Sequence, residues 1–329
     1  MPGQPTAAGL LDRRLVFVTG KGGVGKTSVA AALASLAARQ GKRTLVCEMD
    51  AKGSLAAAFD AGGLAFEPRL IEPNLFGMTM NTEDSLREYL RLFVKIPLIG
   101  KIGPLARTFD FVADAAPGVK EILGVGKLCH EVRERRYDLV VVDAEATGHI
   151  IAQIGAPKVI RDLVKVGLVR DQTDWMLEIL QDPVTTGVAI VTTPEEMPVT
   201  ETLLLLERME RETGVAPTTL IANRVLPTLF EAPHAAVAHR LGEPAVKKLL
   251  VGVAGRGVTA VLEAAAITEA RRAVGGEHLE HLRREAPGLP ILQVPELFTR
   301  ATGRRVVALV ADALADQLTD QLTDMGGRG

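Results

Sequence analysis

Short runs of β-branched and aliphatic residues recur along the chain, and most are separated from the next by sequence with helical spacing. Runs of this length are typical of buried strands, which predicts strands at residues 15–19, 44–49, 75–80, 139–142, 188–192, 219–222 and 289–294. Buried strands that alternate with amphipathic helices favour a mostly parallel sheet covered on both faces. The pattern therefore predicts an α/β fold with a doubly wound sheet.

Between these runs the helical signals are of two kinds. Residues 27–40 are rich in Ala and Leu and stop at a glycine, which predicts a helix. Residues 304–324 carry an apolar stripe opposite an acidic face, so this helix is expected to pack on the sheet. Spans 84–134 and 150–182 depart from simple alternation and predict helical insertions, an inserted helical subdomain, within a single domain over residues 1–329. Residues 227–287 have helical segments interrupted by loops and are locally basic, which indicates a solvated helical layer.

The span 84–134 contains a very apolar segment, residues 92–102, in which the only charges are isolated lysines. Two interpretations stay open for it. It is either core or dimer-contact surface, or it is an apolar groove for a partner.

Composition excludes several classes of protein. The 329 residues carry 38 Lys and Arg against 40 Asp and Glu, a net charge of −2, which favours neither a nucleic-acid binder nor an anionic-membrane binder. No stretch approaches the roughly 20 apolar residues of a membrane span, so no transmembrane segment is expected. The N-terminus lacks the pattern of an export signal, which predicts a cytoplasmic protein. The two cysteines, Cys47 and Cys129, form no Cys-x-x-Cys pair, so no zinc is expected.

The strongest chemical signal is a glycine-rich loop between the first predicted strand and the first predicted helix. It satisfies the phosphate-loop pattern Gly-x-x-x-x-Gly-Lys-Ser/Thr, with the residues Gly20, Lys21, Gly22, Gly23, Val24, Gly25, Lys26, Thr27 and Ser28. The glycines let backbone N–H groups surround a phosphate, and the helix N-terminus adds partial positive charge. Lys26 is expected to neutralise the β- and γ-phosphates, and Thr27 to offer its hydroxyl to Mg²⁺. The alternative is a glycine-rich turn that binds no ligand.

A second lysine, Lys21, stands inside this loop. The loop thereby resembles the deviant Walker A class of P-loop NTPases. In that class this lysine reaches the nucleotide of the facing subunit, so the resemblance implies a dimer with ATP at the interface. A cation delivered in this way would stabilise charge on the leaving phosphate. The alternative is that Lys21 is only a solvated side chain.

Two aspartates follow predicted strands, Asp50 after residues 44–49 and Asp143 after residues 139–142. In an open parallel sheet the ligand lies outside the carboxyl ends of the strands, so both carboxylates are expected to face the phosphates. Asp50 would orient or deprotonate the attacking water, and Asp143 would hold Mg²⁺ through water. Either could instead cap a helix.

Several further segments carry a resemblance to a known family. They are Asp143 to His149, with Thr147, Gly148 and His149 at its end; Thr193-Pro194-Glu195 followed by Glu201-Thr202; Asn223 after a strand; and Val294-Pro295-Glu296-Leu297. Together with the loop they resemble the ArsA/GET-type ATPases, which comprise the arsenite-pump ATPase and the ATPases that target tail-anchored membrane proteins. The resemblance implies a second switch at Asp143–His149 and ATP contacts by Glu195, Asn223, Pro295, Glu296 and Leu297.

The chain also departs from the family pattern. The first switch reads Asp-Pro-Ala-His in the family but Asp50-Ala51-Lys52-Gly53 here, and Ala144, Glu145 and Ala146 replace Thr, Ala and Pro in the second. The metalloid-binding cysteines of the arsenite pump and the zinc-binding motif of the targeting enzymes have no counterpart.

The resemblance implies an ATP- and Mg²⁺-dependent ATPase that closes and opens as a homodimer or a heterodimer with a paralogous ATPase. The closing would hold or release a protein or membrane client, and the protein could be peripheral at the membrane. The alternatives are a catalytically weak ATP-binding subunit of a heterodimer and an anion-pump ATPase subunit of the arsenite type.

Overall fold

The computed structural model describes residues 9–91, 119–164, 166–230, 234, 237 and 240–326. The apolar segment 92–102 falls outside these residues. Within the described residues, eight strands form one sheet in the order β3-β4-β2-β5-β1-β6-β7-β8. The strands are β1 Leu15–Gly20, β2 Thr44–Glu48, β3 Arg69–Glu72, β4 Leu75–Thr79, β5 Leu139–Ala146, β6 Thr186–Thr192, β7 Thr219–Val225 and β8 Ile291–Pro295.

All neighbouring strands pair in parallel except β3 and β4. The two strands next to β1, which are β5 and β6, come from far along the chain. The parallel arrangement brings the carboxyl ends of β1, β2, β5, β6, β7 and β8 to one edge of the sheet, where an α/β protein binds its ligand. The predicted fold class, a mostly parallel α/β sheet, is confirmed.

Both faces of the sheet are covered, because successive side chains of a strand point to opposite sides. Val16 and Val18 of β1 belong to one apolar cluster, and Leu15 and Phe17 belong to the other. All four are fully buried. This explains why the strands read as continuous apolar runs in the sequence.

The described helices alternate with the strands. Their bounds are α1 Lys26–Arg39, α2 Ser54–Ala58, α3 Thr82–Tyr89, α4 Val119–Arg133, α5 Thr147–Leu163, α6 Leu168–Gln181, α7 Glu196–Thr213, α8 Pro244–Ala254, α9 Gly257–Glu285 and α10 Arg304–Gly326. Helices α1 and α10 cover one face of the sheet. The other face is covered by α4 to α7, with Leu128, Ile154 and Leu180 among the buried contacts. Helix α4 in span 84–134 and helix α6 in span 150–182 therefore belong to the helical layer on this face of the sheet.

The structure differs from the sequence prediction at two strands. The prediction that the strand ends at residue 142 is wrong, because β5 continues to Ala146 and pairs Asp143 with both Val18 and Glu48. Asp143 thus lies inside the strand. The edge strand β3 was not predicted, because Arg69–Glu72 is short, lies half in solvent and lacks an apolar run.

Between β7 and β8 the chain forms α8 and the 29-residue helix α9. The buried residues of α9 are confined to its C-terminal part, at Gly275, Leu279 and Leu282. This agrees with the solvated helical layer expected over residues 227–287. None of the helices in the described part of the chain has the length and apolar composition that crossing a bilayer requires.

Candidate nucleotide site

The glycine-rich loop joins the end of β1 to the start of α1. Gly25 caps α1 with a left-handed backbone, φ 95°, and no side chain caps this helix end. The first N–H groups of α1 are therefore left to an external acceptor. Gly22 and Gly23 have open space where a Cβ would lie. Free N–H groups beside open space are what a bound phosphate needs.

Two of the glycines are fixed by contacts with neighbouring strands. A Cβ on Gly25 would lie 2.3 Å from Nδ2 of Asn223, and one on Gly20 would lie 2.1 Å from the carbonyl oxygen of Val191. Asn223 donates from Nδ2 to the carbonyl oxygen of Val24 at 2.7 Å. The loop is therefore held by the ends of β6 and β7 as well as by its own chain neighbours.

Lys26 lies half-buried over the loop, and its Nζ donates to the carbonyl oxygen of Lys21 at 3.3 Å. Burial lowers the pKa of Lys26, and the carboxylate of Asp143 opposes that shift. A partly desolvated ammonium interacts strongly with an incoming phosphate, because little water competes with the anion. The role of Lys26 at the β- and γ-phosphates stays a prediction.

Thr27 and Asp143 are in direct hydrogen-bond contact. Thr27 donates from Oγ1 to Oδ2 of Asp143 at 2.6 Å. Asp143 is 7% exposed, and its pKa is raised to about 6, first by burial. The Thr27 hydrogen bond and the Lys26 charge act against that shift, while Glu48 and Asp50 add to it. The site therefore holds a carboxylate whose ionisation is costly until a cation arrives.

This pair fits Mg²⁺, which prefers hydroxyl, carboxylate, water and phosphate oxygens. Among the described residues there is no cluster of three or more His, Cys, Asp and Glu side chains that could form a dedicated metal cage. A cation held by two protein oxygens together with phosphates and waters needs no such cage.

Lys21 forms an ion pair with Glu201 of α7. Glu201 also accepts a hydrogen bond from Oγ1 of Thr147 at 3.3 Å. One carboxylate thus connects the loop lysine with the second switch. Sequence analysis quoted Glu201 as part of a motif but assigned it no contact, because the partners are 180 and 54 residues away.

Asp50 is not in contact with the loop. It is exposed and forms an ion pair with Lys52 of the same turn. Its charge still contributes to the pKa shifts of Lys26 and Asp143. The structure therefore leaves Asp50 near the site but directed at its own segment.

Glu48 is a site residue that the sequence analysis missed. It is 3% exposed and accepts from the backbone N of Ser54 at 2.7 Å and of Leu55 at 3.3 Å through Oε1. It thereby caps α2, and its Oε2 is buried without a hydrogen-bond partner. The available signal was a carboxylate two residues before Asp50 in an otherwise apolar run.

The second switch forms the start of α5. Thr147 and Gly148 lie in its first turn, and His149 is largely exposed with Nδ1 3.5 Å from Oε2 of Glu145. Glu145 also accepts from Nε2 of Gln153 at 2.9 Å through Oε1. The substitution of Glu for the family's alanine therefore links His149 to the body of α5.

Two of the residues expected to contact ATP, Glu195 and Glu296, line a cleft of about 990 Å³ at the ends of β7 and β8. Arg224 and Phe298 line this cleft too. Asn223 sits between the cleft and the loop, where its amide is engaged with Val24. Pro295 ends β8, Leu297 packs against the adjacent core, and Ser28 lies in the first turn of α1.

Comparison with known proteins agrees with this geometry. A family profile, ArsA_ATPase, described as an anion-transporting ATPase, matches residues 13–176 and 165–241. The chain belongs to this family. The match includes the loop, both switches and Asn223.

Relatives of the chain are named as ATPases. The ATPase BagA of Mycobacterium tuberculosis (strain ATCC 25618 / H37Rv) is 32% identical over 259 residues, which cover 74% of each chain. ATPase ASNA1 homolog 2 of Paramecium tetraurelia is 30% identical over 167 residues, 47% of this chain and 49% of the relative. ATPase get3 of Neurospora crassa is 29% identical over 175 residues, 51% of each. The ArsA/GET relationship expected from the motifs is confirmed.

Proposed function

We propose that the chain is a Mg²⁺-dependent ATPase that works as a nucleotide-driven dimeric switch. The observation that carries this proposal is the Thr27–Asp143 contact beside Lys26 and an open glycine cradle. These groups offer N–H donors, one ammonium and two oxygen ligands at the carboxyl edge of the sheet. A nucleoside triphosphate with Mg²⁺ requires that set of partners.

In this proposal Thr27 and Asp143 would hold Mg²⁺, the latter through water. When bound there, the cation would supply positive charge against the charge that develops on the phosphates. Lys26 and the N-terminus of α1 bind and orient the phosphates. Asn223 keeps the loop against β7, and Glu195, Glu296 and the adjacent cleft contact the nucleoside.

Lys21 supplies the coupling to a second subunit. In the single chain its ammonium is paired with Glu201, so it is not available to a phosphate. We propose that closing of two subunits transfers Lys21 from Glu201 to the facing nucleotide. The positive charge would then reach the leaving phosphate only in the closed dimer, which couples hydrolysis to association.

A second candidate is a catalytically weak subunit of an unequal pair. The observation that favours it is the Asp50–Lys52 ion pair in the altered first switch. To orient the attacking water, Asp50 must leave Lys52. A paralogous partner with an intact first switch could carry most of the turnover in such a heterodimer.

An arsenite-type pump subunit fits less well. Cys47 and Cys129 are fully buried, and burial raises the pKa of both thiols far above its usual range. A metalloid is bound by thiolates, and inert buried thiols do not supply them. We therefore propose a protein or membrane client rather than an anion.

The deciding experiment is phosphate release, combined with molar mass from light scattering, with and without Mg-ATP. The parent chain should form a dimer with ATP and turn over, Lys21→Ala should bind nucleotide without dimerising, and Asp50→Asn should dimerise without turnover. A parent that binds ATP but neither dimerises nor hydrolyses it favours the unequal pair. A parent that does not bind ATP contradicts both candidates.

A further inference from the structure

Helix α8 and the first half of α9 form a helical hairpin that takes no part in the core. The two helices contact each other, while α9 reaches α7 and β7 through its C-terminal part. No residue between positions 244 and 274 is buried. The sheet therefore does not need this hairpin in order to be covered, and its exposed faces require another explanation.

The tip of the hairpin, residues 244–262, exposes large aliphatic side chains. Leu249 is 70% exposed, Val253 is 82% exposed and Val261 is 67% exposed. Leu249 and Val253 are four residues apart on α8, so they share one helix face. The exposed Ala245 and Gly252 lie on that face too. A surface helix ordinarily turns its apolar stripe toward the core and its polar residues toward water, which is the reverse of this arrangement.

The charges of the tip have one sign. Between Glu243 and Glu263 the charged residues are Lys247, Lys248 and Arg256, all basic, in a chain whose net charge is −2. Lys248 is exposed beside Leu249, and Arg256 follows Val253 at the turn into α9. The apolar face of α8 is thus flanked by cations.

An exposed apolar face flanked by lysines favours contact with lipid over contact with a protein. Lysine is depleted at protein–protein interfaces, because its long side chain loses entropy and hydration there. Helices that lie in a bilayer interface carry Lys and Arg beside an apolar face, since the long stems let the cations reach the headgroups. We propose that residues 244–262 dock on a membrane surface that contains anionic lipid.

The proposal does not depend on the nucleotide chemistry, so it can be tested without ATP. Co-sedimentation of the full-length protein would compare two kinds of vesicle. One contains phosphatidylcholine alone, and the other contains equimolar phosphatidylcholine and phosphatidylglycerol. We expect binding to the anionic vesicles only. Binding should weaken strongly between about 0.1 M and 1 M salt, because the charges are exposed and screened.

Two variants locate the contact. The double change Lys247→Glu and Lys248→Glu should lower binding at least about tenfold, since each basic residue contributes roughly one kcal/mol near an anionic leaflet. Leu249→Ser with Val253→Ser should lower binding and leave its salt dependence in place. Both should keep the circular dichroism spectrum and nucleotide affinity of the parent, because none of the four residues is buried.

A matched control is the exposed Arg284→Glu near the end of α9 combined with the exposed Arg300→Glu. It makes the same change in net charge away from the tip and should bind as the parent does. Equal loss in this control, or no binding of the parent to anionic vesicles, would overturn the proposal. The second result would assign the apolar face to a protein partner instead.

Discussion

At the scale of single residues, the site is controlled by three carboxylates with different environments. Asp143 is buried against Thr27, Glu48 is buried under α2, and Glu201 is half-buried between Lys21 and Thr147. Burial sets the cost of ionisation for the first, and hydrogen bonds fix the position of the other two. Each can therefore be tested with a substitution that removes a charge and little volume.

The first prediction concerns pH. The pKa of Asp143 is raised from 3.8 to about 6 by burial, so the folded protein binds this proton more tightly than the unfolded chain does. The resulting stabilisation is complete below about pH 4 and is lost as the pH rises through about 6. Magnesium needs the ionised form, so the affinity for Mg-nucleotide should fall about tenfold from pH 7 to pH 5.

A fluorescent nucleotide titrated between pH 5 and pH 8 measures this effect. Asp143→Asn should bind weakly with little pH dependence over the same range. Without Mg²⁺ the parent should also lose most of the dependence. An affinity of the parent that stays constant from pH 7 to pH 5 in Mg²⁺ would contradict the assignment of Asp143.

The second prediction concerns Glu201. If Lys21 must leave Glu201 before it reaches a second subunit, Glu201→Gln should lower the ATP concentration needed for half-maximal dimerisation. The pair is partly exposed and contributes about 0.5 to 1 kcal/mol, so we expect a two- to fivefold change. Light scattering against ATP concentration measures it. In a Lys21→Ala background the same substitution should not restore dimerisation, and ATP-dependent dimerisation of the double variant would rule out this coupling.

At the scale of elements, the phosphate loop is shaped by its neighbours. Strand β6 approaches Gly20 and strand β7 approaches Gly25 so closely that neither position has room for a Cβ. Gly22 and Gly23 face open space instead. The loop is thus rigid where it meets the sheet and accessible where it would meet phosphate.

This arrangement predicts different costs for two similar substitutions. Gly25→Ala puts a Cβ 2.3 Å from Nδ2 of Asn223 at φ 95° and should lower the free energy of unfolding by about 2 to 4 kcal/mol. Gly22→Ala meets nothing and should change it by less than about 0.5 kcal/mol. Urea denaturation measures both. Equal stability of the two variants would contradict the described packing of the loop.

At the scale of the whole molecule, the nucleotide groups and the hairpin occupy different parts of the described structure. The nucleotide groups lie at the carboxyl edge of the sheet, and the hairpin of α8 and α9 lies outside the core. Helix α9 connects them, since Gly275 packs against Pro194 beside Glu195, and the same stretch lines the cleft. A movement at the carboxyl edge of the sheet would therefore displace α9.

Ligand linkage gives the prediction at this scale. Saturating Mg-ATP at about a hundred times its Kd should stabilise the folded chain by about 2.7 kcal/mol. If ATP also drives a homodimer, Tm should rise with protein concentration in ATP and stay constant without it. Lys21→Ala should keep the ligand effect and lose the concentration effect. A Tm of the parent that is independent of concentration in ATP would favour a heterodimer.

Seven of the eight described strands, their parallel character and the phosphate loop could be predicted from the sequence, because these depend on residues that are close along the chain. A run of buried aliphatic residues, or a glycine-rich turn between strand and helix, has the same meaning in most contexts. Even there, β3 was missed, since a short, charged edge strand carries no apolar signal.

Which polar groups form hydrogen bonds with each other could be seen only in the folded structure. Thr27 and Asp143 are 116 residues apart, Lys21 and Glu201 are 180 apart, and Asn223 reaches Val24 across 199. Strand order and register bring them together, and a single sequence encodes register only through the sum of many weak packing contacts. The sequence predicted a solvated helical layer over residues 227–287, but which faces of α8 and α9 remain uncovered depends on their neighbours in the fold.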